Sequence, residues 1–275
     1  MYRRREVRIP RLMVTREHGS WAVVFVPLVV GIGVAGRFDT SELFLVCAVA
    51  SGFMMYVPLQ TILRHRLARQ PSDGRQRAAR FWVSVFGAIG FVSSLVLVLA
   101  GFPLVLLFAL LAAIFFGGNF LLVRYFQKTL TSDLIAVAGL TLGAPAAYYT
   151  ASARIDEMAV SLWILNVLFF GSGIFYVHMK MHASGLKKQP MSLSDKFLVG
   201  RMNIFYHLIL VIIVVGLSAV HLTPQLAILA FVPVIAHTML GTARLSSRVR
   251  YKSLGFALLA QSLLFCALLI FIARH

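Results

Sequence analysis

The chain has 275 residues, 60% hydrophobic and 13% charged, where a soluble domain carries about 25% charge. That composition excludes an ordinary soluble globular fold. With 26 Lys and Arg against 9 Asp and Glu the net charge is +17, yet no basic, aromatic-interleaved fold remains outside the apolar runs, so nucleic acid is not an expected partner.

The apolar residues fall in runs near the length a helix needs to cross about 30 Å of hydrocarbon. Nine spans are predicted, at 20–37, 42–63, 81–101, 103–123, 133–151, 158–178, 203–221, 224–243 and 253–273. The basic segment 1–18 precedes the first span, which reads as a retained anchor rather than a cleavable leader. At its mouth stands Arg16-Glu17-His18-Gly19-Ser20-Trp21. Glu17 and His18 are candidate acid–base groups lining a pocket beside Arg16. The competing reading is an interfacial anchor, with Trp21 in the headgroup belt and Glu17 capping the helix.

Span two leaves the membrane at Arg64-His65-Arg66, and a loop with Pro71, Ser72, Asp73 and Gly74 follows. Asn119 lies in span four, and Arg124 and Lys128 follow it. Asn166 lies in span six, which ends at His178, with Lys180 and His182 just beyond. His178 and His182 share a helical face, a metal-compatible spacing, but no Cys or carboxylate stands nearby in sequence. Ser192 is a plausible N-cap before span seven, where Arg201, Asn203 and His207 cluster. His237 lies in span eight. Cys47 and Cys266 read as small buried residues, not a disulfide or metal pair.

Twenty-three of the 26 Lys and Arg residues fall in five stretches, at 1–18, 64–80, 124–128, 178–201 and 244–252; the exceptions are Arg37, Arg154 and Arg274. Cytoplasmic loops collect such charge, which predicts an N-terminus inside and a C-terminus outside. The other loops are tiny, so function is expected on the basic side. Arg64, Lys128, His178, Lys180, Arg201 and His207, with Arg16, are the candidate ligand-binding groups.

Two resemblances bear on these residues. Tyr125, Lys128, Thr129 and Asp133, followed by Gly139, Gly143, Ala144, Pro145 and Tyr148, resemble the fourth-to-fifth helix segment of the UbiA superfamily of intramembrane prenyltransferases, and Phe175–His182 resembles its sixth helix. That likeness implies an all-α, nine-helix polytopic membrane bundle of UbiA-like architecture. Arg16–Trp21, with Trp163, Asn166, Phe170 and Tyr176–Lys180, resembles the YwiC-like family of bacterial membrane proteins, known by an HGAW-type motif; this chain has Ser20 where Ala is usual. The YwiC-like resemblance implies no particular activity.

The prenyltransferases hold Mg²⁺ on Asp-rich motifs after helices two and six. Here those positions read Gln60–Arg66 and His178–His182, with cations in place of carboxylates. Mg²⁺ requires oxygen ligands, whereas Arg and Lys bind anions directly. The expectation is an inner-membrane protein, without metal or cofactor, whose partners are membrane lipids and an anionic lipid or isoprenoid ligand, bound or processed in a cation-lined cytoplasmic cavity. The alternatives are a transporter or accessory protein of a respiratory system, with haem a conceivable associate, and a true prenyltransferase.

Overall fold

A computed structural model describes residues 11–13, 18–67, 74–126, 129–186 and 191–275. Among them the chain forms ten α-helices and no strands: α1 His18–Ala35, α2 Thr40–Leu67, α3 Gly74–Leu99, α4 Val105–Phe126, α5 Leu130–Leu140, α6 Gly143–Ser152, α7 Glu157–Gly185, α8 Leu193–Ala219, α9 Ala227–Ala243 and α10 Tyr251–Arg274. Seven helical stretches are long and apolar enough to cross a membrane, one of them the α5–α6 unit, and two shorter apolar helices cover 19–35 and 227–243. Seventeen residues rise about 26 Å, close to the thickness of the hydrocarbon core. The helices overrun the expected spans on one side: α2 runs on to Leu67, α7 to Gly185, and α8 begins at Leu193. Much of what composition alone assigns to loops is therefore helix standing beyond the apolar core.

The fifth span is broken. Pro145 has no N–H and crowds the preceding turn, so α5 stops at Leu140 and α6 restarts at Gly143. Unpaired backbone is costly in hydrocarbon, and the break is satisfied by its neighbours. The Thr141 hydroxyl donates to Val137 O at 2.9 Å, Ala144 N–H donates to Thr141 O at 3.0 Å, and the Trp163 indole N–H of α7 donates to Ala138 O at 3.0 Å.

Small residues allow the broken span to sit deep. Almost all of α6 (GAPAAYYTAS) is buried. A Cβ at Gly31 of α1 would collide with the Ala144 carbonyl and lie 2.8 Å from the Tyr148 backbone nitrogen, so the two backbones touch, the close approach small residues permit in membranes. The α5–α6 span and α7 are each 56% buried, while α4 is 11% buried. The former are the centre of the bundle and α3, α4 and α8 its lipid-facing periphery. One core packs Val30, Leu165, Phe169, Phe231 and Phe265 between α1, α7, α9 and α10. A second packs Leu28, Leu45, Leu97 and Tyr149 between α1, α2, α3 and α6.

A continuous set of contacts gathers the basic helix ends on one face. Arg64 at the end of α2 and Arg124 at the end of α4 line one cleft, and α5 begins a few residues after α4. His178 of α7 bonds Asp133 of α5. Lys180 of α7 and Lys196 of α8 both reach carbonyls at the end of α9. Trp82 of α3 donates to Arg11 O at 3.1 Å, which places residue 11 there too. On the opposite face α1 and α10 end together: Gly33 packs on Ile270, and Gly36, at φ +72°, on the Arg274 guanidinium.

Candidate functional site

Arg64 is exposed on the last turns of α2 and lines an open cleft of about 240 Å³ with Gln60, Phe120, Val123 and Arg124. The cleft has guanidinium groups from two helices and an apolar wall from α4. Its floor is braced by the Gln60 amide, which donates to the Tyr56 hydroxyl at 2.6 Å, and by the Tyr56 ring, 5.4 Å from that of Phe116. Planar guanidinium forks suit the oxygens of phosphate or carboxylate. Arg124 was not among the expected ligand groups; its position at the end of a helix adjoining a basic loop was the available signal.

His178 stands differently from the expectation that no carboxylate is near. Its Nε2 lies 3.0 Å from Asp133 Oδ2, with the two side chains 36% and 24% exposed. Asp133 occupies the first turn of α5, where Thr129 and Ser132 form a capping box. The partner is 45 residues away in sequence, which is why spacing along α7 did not show it. His182, on the next turn, is exposed. Among the described residues no group of three or more His, Cys, Asp or Glu side chains comes together.

Lys180 is half-buried on another face of α7. Its ammonium donates to Gly241 O at 2.9 Å and lies 5.2 Å from the centre of the Tyr176 ring. His207 is 3% exposed. Its Nδ1 lies 2.7 Å from Asn203 O, and its Nε2 lies 2.7 Å from Ser172 Oγ and 3.0 Å from Thr238 Oγ1. A carbonyl only accepts, so Nδ1 carries the proton and Nε2 accepts from the Ser172 hydroxyl; the Thr238 hydroxyl donates to Ile235 O at 3.1 Å. His207 thus joins α7, α8 and α9, with all its polar atoms engaged. Arg201 is exposed on α8, in a shallow apolar groove with Phe197, Met202, Ile204, Phe205 and Leu208.

The candidate residues are therefore distributed over the basic face rather than gathered at one mouth. The Arg64 cleft, the His178–Asp133 pair, the Lys180 contacts with Gly241 and Tyr176, the His207 core and the Arg201 groove are five different settings. Arg16, Glu17, Lys128 and the side chain of His18 lie outside the described residues. The neighbouring Trp21 packs inward, stacked on Phe25 at 5.8 Å and edge-on to Phe53 of α2 at 5.1 Å.

Among the described residues, eight apolar helices around a buried, broken span, with cations on one face, define a polytopic helical membrane protein. Residues 14–148, just under half of the chain, match the model of the YwiC-like protein family. The match takes in the Arg64 cleft, α5 and the first part of α6, and it confirms the resemblance first seen at Arg16–Trp21; the similar residues from Trp163 to Lys180 lie beyond it. No curated protein and no solved structure matches the chain.

Proposed function

We infer that this protein holds an anionic amphipathic ligand, an isoprenoid or quinone-type lipid or a phosphorylated lipid, at the ends of α2 and α4. The basic face is cytoplasmic in this reading, and the membrane is the inner membrane of a bacterium. The observation that carries it is the cleft itself: Arg64 and Arg124 offer charge and forked donors at the mouth, and Phe120 and Val123 offer apolar wall behind. An anionic head with a hydrocarbon tail satisfies both at once. The cations meet the head directly, so Mg²⁺ has no part in binding. The UbiA-like architecture of the bundle belongs to the same proposal, as do acid–base roles for Glu17 and His18.

The His178–Asp133 pair favours processing beside binding. A partly exposed imidazole held by a carboxylate can accept and return a proton, which a purely retentive site does not need.

The test is mass spectrometry of lipids that co-purify with the detergent-extracted protein, compared with Arg64→Gln. A lost charge-assisted contact is worth about 1.5–3 kcal/mol, so the variant should retain roughly tenfold less of one anionic species. An identical lipid complement in both proteins would overturn the cleft. Titration of the identified species with and without EDTA should give equal affinities; a loss in EDTA restored by Mg²⁺ would sink direct cation binding. If the species is chemically changed on incubation with wild type and unchanged with His178→Gln, the protein processes it.

A further inference from the structure

The helix α9 ends in surplus positive charge. Its C-terminal carbonyls carry a partial charge of about −0.5. Two ammonium groups are bound to them: Lys180 on Gly241 O at 2.9 Å and Lys196 on Ala243 O at 3.2 Å. Capping accounts for both hydrogen bonds, one carbonyl to each lysine, but two full positive charges exceed the partial charge of the helix end. Lys180 is the half-buried one, and among the described residues no carboxylate pairs with it. Asp195, in the first turn of α8, has a partner of its own. A partly desolvated charge without a counter-charge is unfavourable.

A second group in the same place is also unsatisfied. The His237 ring of α9 meets the Tyr176 ring edge-on, with centroids 5.4 Å apart, and Lys180 lies over that same Tyr176 ring. His237 Nε2 is buried and has no hydrogen-bond partner among the described residues, whereas buried polar atoms are normally paired. Tyr176 is 4% exposed. Its hydroxyl lies where a Cβ on Gly241 would stand, so the glycine is what lets the phenol reach α9. A water molecule would satisfy Nε2 but leave the ammonium uncompensated. A cation is repelled by Lys180. An anionic group answers both needs, supplying an acceptor for an Nε2-protonated imidazole and a counter-charge for the ammonium.

We propose that Tyr176, Lys180 and His237 form a second anion site, between α7 and α9 and distinct from the Arg64 cleft, that takes one oxyanionic group, carboxylate or phosphate. The group arrives either as a free ion or as the head of a lipid. Residues 176–241 lie beyond the YwiC-like match, and the site stands whether or not the cleft binds a ligand.

The experiment follows thermal unfolding of the detergent-purified Arg64→Gln protein, which lacks the main cleft cation. One arm titrates inorganic phosphate and the other lysophosphatidic acid. A saturable rise with phosphate identifies a free-ion site; a rise with the lipid alone identifies a headgroup site. In either case His237→Ala and Lys180→Gln should raise the half-saturating concentration at least tenfold. Lys180→Gln lowers the starting transition by removing a cap, so the ligand-dependent shift is the readout, and His237→Ala keeps the test independent of the cap. No saturable rise in either arm, or a rise of equal midpoint in His237→Ala, overturns the proposal.

Discussion

At the scale of single residues, the same side-chain types serve opposite ends according to what surrounds them. His207 and His237 both lie inside apolar helices, and the sequence does not show which of them finds partners. The first has three polar neighbours on three helices; the second has a ring and a nitrogen without a partner. His207→Ala should therefore cost stability. It leaves the Ser172 hydroxyl unpaired and opens a cavity, about 2–4 kcal/mol together. Thermal unfolding in detergent should show a clear drop, with the anionic lipid complement unchanged. A variant of wild-type stability that loses its lipid would make His207 a ligand group instead. The candidate site was legible in the sequence as a set of residues on one face, and not as an arrangement. Helical spacing says which side chains share a face of α7, but not that Asp133 stands opposite His178 or that Gly241 stands opposite Lys180. Those pairings cross 45 and 61 residues and depend on which helices become neighbours.

At the scale of elements, the α5–α6 span departs most from what apolar length suggests. Hydropathy reads through Thr141 and Leu142 without a gap, because a two-residue break leaves the average unchanged. Pro145 and the glycines at 139 and 143 were the local signs of it. The contact that seats the break is the backbone approach of α1 to α6 at Gly31. Gly31→Ala puts a methyl group on the Ala144 carbonyl, a backbone atom that cannot swing away. The helices must separate, at a cost of about 1–3 kcal/mol for overpacking. Gly216→Ala, on lipid-facing α8 with nothing within 4 Å of the new methyl, should be neutral or slightly stabilising, since alanine is the better helix former. Unfolding midpoints of the two variants in the same detergent make the comparison. Equal midpoints would mean that α1 and α6 do not touch through their backbones in the folded protein.

At the scale of the whole molecule, charge and contact reach one conclusion by independent routes. The alternation of basic stretches with apolar runs divides the chain into two sides, with 23 Lys and Arg on one and three on the other. The contacts of α2 with α4, of α5 with α7 and of α7 and α8 with α9 put those basic ends on one face without reference to charge. The pairing of Gly36 with Arg274 closes the other face, so Arg11, held by Trp82 on the basic face, and the end of α10 lie on opposite sides of the bundle. Positive segments resist translocation, and the proposal that the basic face is cytoplasmic makes a direct prediction. Reporter fusions after Lys128 and after Lys188 should therefore read as cytoplasmic, and a fusion after His275 as external. A cytoplasmic reading after His275 alone would require an even number of crossings and would take one of the two 17-residue apolar helices out of the membrane. An external reading at all basic positions would invert the bundle and move the Arg64 cleft away from the cytoplasm. The fusions thus decide, before any ligand is known, from which compartment the cleft is filled.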